Sequence, residues 1–119
     1  MLKTIPYYFY QVDAIEDWLH EQAQKRLFPL ETRFGTDMSF RRDTPRAMRY
    51  RIDVKRNIGY TDEKARIAAY REMGWEYVCA LTPYLDSYRC DEPAAPELNT
   101  DEETLHQVLD KKLRSQILW

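Results

Sequence analysis

Two short stretches, SFRRDTP at 39–45 and SYRCDEP at 87–93, lie 48 residues apart in a chain of 119 residues. Ser39 and Ser87, Arg41 and Arg89, Asp43 and Asp91, and Pro45 and Pro93 are identical, and Phe40 matches Tyr88 closely. Self-similarity at a fixed offset constrains a fold strongly, because each copy must form the same supersecondary unit. The same offset sets Asp13 over Thr61, Leu30 over Val78 and Arg26 over Gly74. The first strands do not align by residue type. The order of elements nevertheless repeats as strand, helix, strand, strand, so duplication is the reading.

Local patterns supply those elements. TIPYYFYQ, residues 4–11, reads as an aromatic strand. Asp13 with Glu16 three residues on makes a capping box, and Ile15, Leu19, Gln22 and Ala23 share one helical face. LFPLETRFG and DMSFRRD form a hairpin around Gly35 and Thr36. AMRYRIDVK, residues 47–55, alternates without a slip and predicts a half-buried strand from about Met48 to Arg56. Thr61 is an N-cap candidate for a helix over 62–73, and Gly74 suits its C-terminal turn. WEYVCAL and DSYRCD make a second hairpin across Pro83–Tyr84. Thr100 and Glu103 form another capping box, opening a helix with Leu105, Leu109, Leu113 and Ile117 in a ladder.

The expected fold is therefore α+β: a duplicated βαββ domain over 1–93, with halves of about 1–45 and 46–93. A linker at 94–99 and a C-terminal helix at 100–119 follow. The two units make one antiparallel-rich sheet or two half-sheets, with helices on one face. Leu30, Val78 and Ala80 belong under the helices; Trp75, Tyr77 and Cys79 point the opposite way. The charged side of RYRIDV joins that open outer face.

Composition narrows the function classes. Formal charge is −2 and the pI is near 5.7, which argues against nucleic acid as partner. Two cysteines and no signal-peptide pattern point to a reducing cytoplasm. Residues 41–56 carry seven basic groups against two acids, while 91–110 carry seven acids and no Lys or Arg. Two separately solvated surfaces are the favoured reading of that asymmetry; the sharper reading is that the acidic segment packs near the basic strand, or that each recruits a different partner.

No pattern of catalytic or metal-binding residues stands out. His20 and His106 fit no zinc spacing, so neither a metal nor a cofactor is expected. Glu16 and His20 are an i,i+4 pair read as part of a solvated helix face. Cys79 and Cys90 sit on the two arms of the last hairpin and are read as thiols in a reducing cell. The better candidate is the outer face, with Arg49, Arg51, Asp53, Trp75, Tyr77 and Arg89. Arginine pairs bidentately with carboxylate or phosphate, and rings stack on flat ligands. A self-neutralising charge ladder across the strands is the competing reading. Arg51→Ala and Trp75→Ala are expected to leave folding intact and to weaken binding.

DWLHEQA, YRID, GWEYV and the terminal SYR strand, taken in that order, resemble the bacterial domain-of-unknown-function family 2812 over about residues 7–105. The resemblance implies a soluble domain commonly followed by transmembrane segments and often encoded near PadR-like regulators. It implies no activity and no catalytic residue. Two departures stand out: Arg26 occupies a site where the family usually has glycine, and no transmembrane stretch follows the third helix. The chain is read as a trimmed soluble domain or a naturally short member. Its element order also resembles, by topology alone, ligand-binding domains of gyrase-inhibitory-like proteins, which bind in a cleft between halves.

The leading function is a non-enzymatic cytoplasmic binding or sensor domain, the soluble part of a membrane-associated bacterial regulatory protein. A small molecule or a protein is its partner, and contact with a membrane runs only through segments outside this chain. The rival is an interaction or homodimerisation module using the C-terminal helix. An uncharacterised enzyme stands third.

Overall fold

Helical periodicity in α1 (Val12–Gln24) and α2 (Tyr60–Glu72) interrupts two sets of strands. The strands are β1 (Leu2–Thr4), β2 (Leu27–Arg33) and β3 (Asp37–Arg42), then β4 (Arg49–Val54), β5 (Glu76–Thr82) and β6 (Leu85–Cys90). The computed structural model describes residues 1–33, 36–54 and 60–98. The expected C-terminal helix, the Gly35 turn and the Thr61 cap lie outside the described residues or side chains. No helix among the described residues is long and apolar enough to cross a membrane.

Each half forms its own antiparallel sheet, in the order β1-β3-β2 and β4-β6-β5. The orders are the same once β1, β2 and β3 are replaced by β4, β5 and β6. The fold is α+β, in two half-sheets. The repeat extends to atomic detail. In β2 the register shifts between Pro29 and Glu31, and in β5 between Tyr77 and Cys79. The bulge residues are thus Leu30 and Val78, the pair related by the offset. Ser39 Oγ donates to the Glu31 carbonyl at 3.1 Å and accepts the Glu31 N–H at 3.3 Å. Ser87 Oγ does the same with Cys79, at 2.7 and 3.3 Å. The repeated serine therefore supplies a donor and an acceptor where the bulge disturbs the ladder.

The helix ends also match. Arg26 has φ +74° and Gly74 has φ +97°. Both turn the chain through the left-handed region, which a glycine enters without steric cost and an arginine does not. Past Gly74 there is little room as well: a Cβ there would sit 3.3 Å from Ala95 Cβ.

Three expectations about the first half need correction. The first strand stops at Thr4 rather than running to Gln11. Ile5 N–H still bonds to the Thr36 carbonyl, but Pro6 has no N–H with which to continue the ladder. Tyr7, Tyr8 and Tyr10 are consequently exposed in the loop, with the rings of Tyr8 and Tyr10 stacked at 5.6 Å. The Asp13–Glu16 capping box does not form: Gln11 is the N-cap, without a side-chain cap bond. Leu30 is 47% exposed rather than under a helix, because the bulge takes it out of the alternation.

The main core lies between the halves. Ile15, Leu19 and Ala23 of α1 are buried with Leu27, Met38 and Phe40 of the first sheet. Tyr50, Ile52 and Leu85 of the second sheet close the same cluster. A second cluster lies on the other face of the second sheet, where Trp75, Tyr88, Cys90 and Leu98 pack with Ile67 and Tyr70 of α2. The free edges of β2 and β5 run beside each other, and Thr32 Oγ1 donates to the Ala80 carbonyl at 2.9 Å.

Candidate functional site

Alternation in β4 divides its residues cleanly. Tyr50 and Ile52 enter the main core, so Arg49, Arg51 and Asp53 point to the α2 side. Cross-strand pairing sets Arg49 beside Cys90, Arg51 beside Tyr88 and Asp53 beside Asp86. Tyr77 pairs with Tyr88 and joins the same face, its ring edge-on at 5.7 Å. Arg89 does not: it pairs with Tyr50, on the opposite face, and its Nε donates to Glu76 at 3.0 Å. Cys79 is also on the opposite face, because the bulge at Val78 reverses the alternation after Tyr77. Five of the six candidate residues therefore come together. The two cysteines are free, buried and in different clusters, so the hairpin does not bring their sulfurs together.

The face is not open. Residues 91–98 cross it as an irregular strap. Arg51 grips the Glu97 carboxylate with two donors, Nε at 2.8 Å and Nη2 at 2.9 Å. Arg49 reaches Glu97 at 3.2 Å, the Glu92 carbonyl at 3.0 Å and the Ala95 carbonyl at 2.8 Å. The Arg49 guanidinium also lies 5.0 Å from the centre of the Trp75 ring, a cation–π arrangement. Trp75 Nε1 donates to the Pro96 carbonyl at 2.7 Å, and Leu98 is buried against the ring cluster. Arg46 meets Asp91 at 3.7 Å. The acidic segment and the basic strand, expected as separate surfaces, are joined over these residues. Hydrogen bonds from Arg51, with the nearby charges of Arg51 and Arg49, hold the Glu97 carboxyl below its ordinary range.

Trp75 has no exposed surface. Its replacement by alanine is thus a packing defect, contrary to the expectation of unchanged folding. Deeper under α2, Asp53 and Asp86 are buried directly opposite each other. Two like charges so placed repel unless something intervenes. Arg66 Nη2 meets Asp86 at 3.0 Å, and the Tyr70 hydroxyl donates to Asp53 at 2.9 Å. Burial pushes the Tyr77 hydroxyl up to about 12 and also raises that of Tyr88, so both stay un-ionised near neutrality.

A third polar arrangement was not legible as such. Glu16 and His20, read as a solvated pair, dock instead on the exposed edge of β4. Glu16 Oε2 accepts the Ile52 N–H at 2.7 Å, and His20 Nδ1–H donates to the Met48 carbonyl at 2.5 Å. Gln24 Nε2 lies 3.3 Å from His20 Nε2, on the other side of the ring. Burial, opposed by the Ile52 N–H and by Arg51, raises the Glu16 carboxyl to about 7. The i,i+4 spacing was visible, but nothing in the sequence placed a strand edge in front of it.

Among the described residues no group of three or more His, Cys, Asp or Glu side chains could hold a metal ion. The family comparison matches residues 11–118 to the model of a protein family of unknown function, DUF2812. The chain belongs to that family. The resemblance seen in YRID and GWEYV is thereby established, and Arg26 and the strap both fall within the span. No curated protein and no solved structure matches the chain significantly.

Proposed function

We propose that this DUF2812 chain is a non-catalytic binding domain whose Arg49–Arg51–Trp75 face recognises a carboxylate-bearing ligand. One observation supports the reading above all. Two guanidinium groups on alternate residues of one strand converge on a single carboxylate, with one of them seated on an indole ring. Fork-shaped donors on a stiff strand are suited to planar anions, and the ring beneath favours an apolar portion beside the charge. The reading extends to a cytoplasmic sensor joined to a membrane-associated regulatory protein. Its support is what the family resemblance implies, a soluble domain commonly followed by hydrophobic segments.

Thermal-shift titration with carboxylates, phosphates and organic cations tests this. Carboxylates should raise the melting temperature of the wild-type chain and leave an Arg51→Ala variant unmoved. Equal responses in both, or a response to cations alone, would remove the face from consideration. Native mass spectrometry on the same sample reads subunit number. A dimer without bound ligand would favour an interaction module acting through residues 100–119.

A further inference from the structure

Resting on that reading, we infer that the Arg49–Arg51–Trp75 face is a receptor for an acidic, proline-flanked peptide, occupied here in cis by the chain's own residues 92–98. The bonds are of the kind by which a peptide is bound rather than of the kind that builds a core. Three main-chain carbonyls of the strap, those of Glu92, Ala95 and Pro96, accept from Arg49 and Trp75 side chains. One side-chain carboxylate, Glu97, takes the arginine fork, and one apolar side chain, Leu98, enters the ring cluster. Within the strap itself the described backbone bond is Ala95 N–H to the Glu92 carbonyl. The segment EPAAPEL contains two prolines, Pro93 inside the turn closed by that bond and Pro96 just after it, and each lowers the cost of ordering the chain.

Charge and exposure agree with an exchangeable occupant. With the strap in place the Glu97 side chain is 57% exposed and those of Arg49 and Arg51 are 27% and 32% exposed, so the carboxylate covers the two guanidinium groups from the solvent side while Leu98 is buried. Ion pairs this exposed contribute little to stability, which leaves the burial of Leu98, the packing of Ala95 and the Trp75–Pro96 hydrogen bond as the main hold of the strap on the sheet. An acidic segment of another protein, with the same Pro-Glu-Leu chemistry, would compete for the same donors. The strap is then an autoinhibitory ligand, and its release exposes the face.

Isothermal titration of a synthetic EPAAPEL peptide into the full chain tests the inference. The peptide should bind a Glu97→Ala/Leu98→Ala chain at least about tenfold more tightly than the wild type, the size of an ordinary coupling between competing ligands. Adding Arg51→Ala to that chain should abolish binding. Circular dichroism establishes that each variant is folded. A folded double variant that ignores the peptide overturns the cis-ligand inference. If that variant still binds small carboxylates, the carboxylate reading survives; if it binds neither, both fall.

Thiol labelling provides a test that needs no variant. Cys90 lies beneath the strap and accepts the Glu92 N–H at 3.4 Å, whereas Cys79 is in the main core. Cys90 should react faster than Cys79, and excess free peptide should change its rate alone. Labelling of both thiols only at the rate of global unfolding would show the strap to be a fixed part of the fold.

Discussion

The two halves share a backbone plan and differ in what they bury. Residues related by the repeat show the exchange directly. Under α1 the first sheet presents Met38 and Phe40, and the helix answers with Trp18, edge-on to Phe40 at 5.7 Å. At the matched positions the second half has Asp86, Tyr88 and Arg66, and Arg66 forms an ion pair with Asp86. Lys3 Nζ donates to Gln22 in the first half, and Tyr70 donates to Asp53 at the equivalent site in the second. One half is built to hold the fold together. The other carries the charge and the aromatic surface that recognition needs, and it relies on its partner for much of its core. Specialisation of this kind locates a candidate site more firmly than any single residue type.

The largest test of that division is truncation at matched core positions. Trp75→Ala should cost about 3–5 kcal/mol and Leu27→Ala about 2–4 kcal/mol in denaturant unfolding, since both are buried. A loss below about 1 kcal/mol for Trp75 would mean that the second cluster is not part of the cooperative fold. Next comes the polar exchange. Asp86→Ala should destabilise by about 3 kcal/mol, and Arg66→Met in the same chain should restore part of it, because removing one partner leaves the other charge less well compensated where it is mostly buried. Strictly additive losses in that cycle would show the two residues to be uncoupled.

The Glu16 clasp adds a pH dependence confined to the joint between halves. Its folded carboxyl titrates near 7, above its ordinary 4.5, so the folded state binds the proton more tightly. That contribution is present below the ordinary value and is lost as pH rises through about 7. Glu16→Gln keeps an acceptor for Ile52 N–H, so its melting temperature should vary less between pH 5 and 8 than that of the wild type. An unchanged profile would assign the dependence elsewhere. Smaller effects come from the repeated details. Ser87→Ala and Ser39→Ala should each cost about 1 kcal/mol, with Ser87 the greater because it is the more deeply buried. Arg26→Gly should stabilise by up to about 1 kcal/mol by relieving its positive φ. Gly74→Ala should do the reverse.

Much of the fold was legible because the repeat and the periodicities agreed. The offset aligns Ser39 with Ser87 and Arg26 with Gly74, and both pairs have the same local geometry. The bulges were not legible. A bulge inserts a residue without changing composition, so strict alternation placed Cys79 beside Trp75 and Leu30 under a helix. The site was half legible. Arg49, Arg51, Asp53, Trp75 and Tyr77 do share a face, but alternation says only which side a residue takes, not what lies over it. The covering strap could have been suspected from the acidic run at 91–98 opposite a basic strand. Charge runs alone predict contacts poorly, and the burial of Leu98 was the missing signal.

The contacts between the halves are of two kinds. β2 beside β5 joins equivalent strands, as a twofold-symmetric pair of separate subunits would. α1 against β4 has no counterpart of α2 against β1 among the described residues. Two identical subunits cannot make the second kind of contact and still close symmetrically, for each would leave a surface unmatched and recruit a third. Joining both units in one chain lifts that restriction. Covalent linkage thus removes the hazard of open-ended assembly and lets each copy mutate independently, so that α1 can guard an edge while α2 keeps its charges.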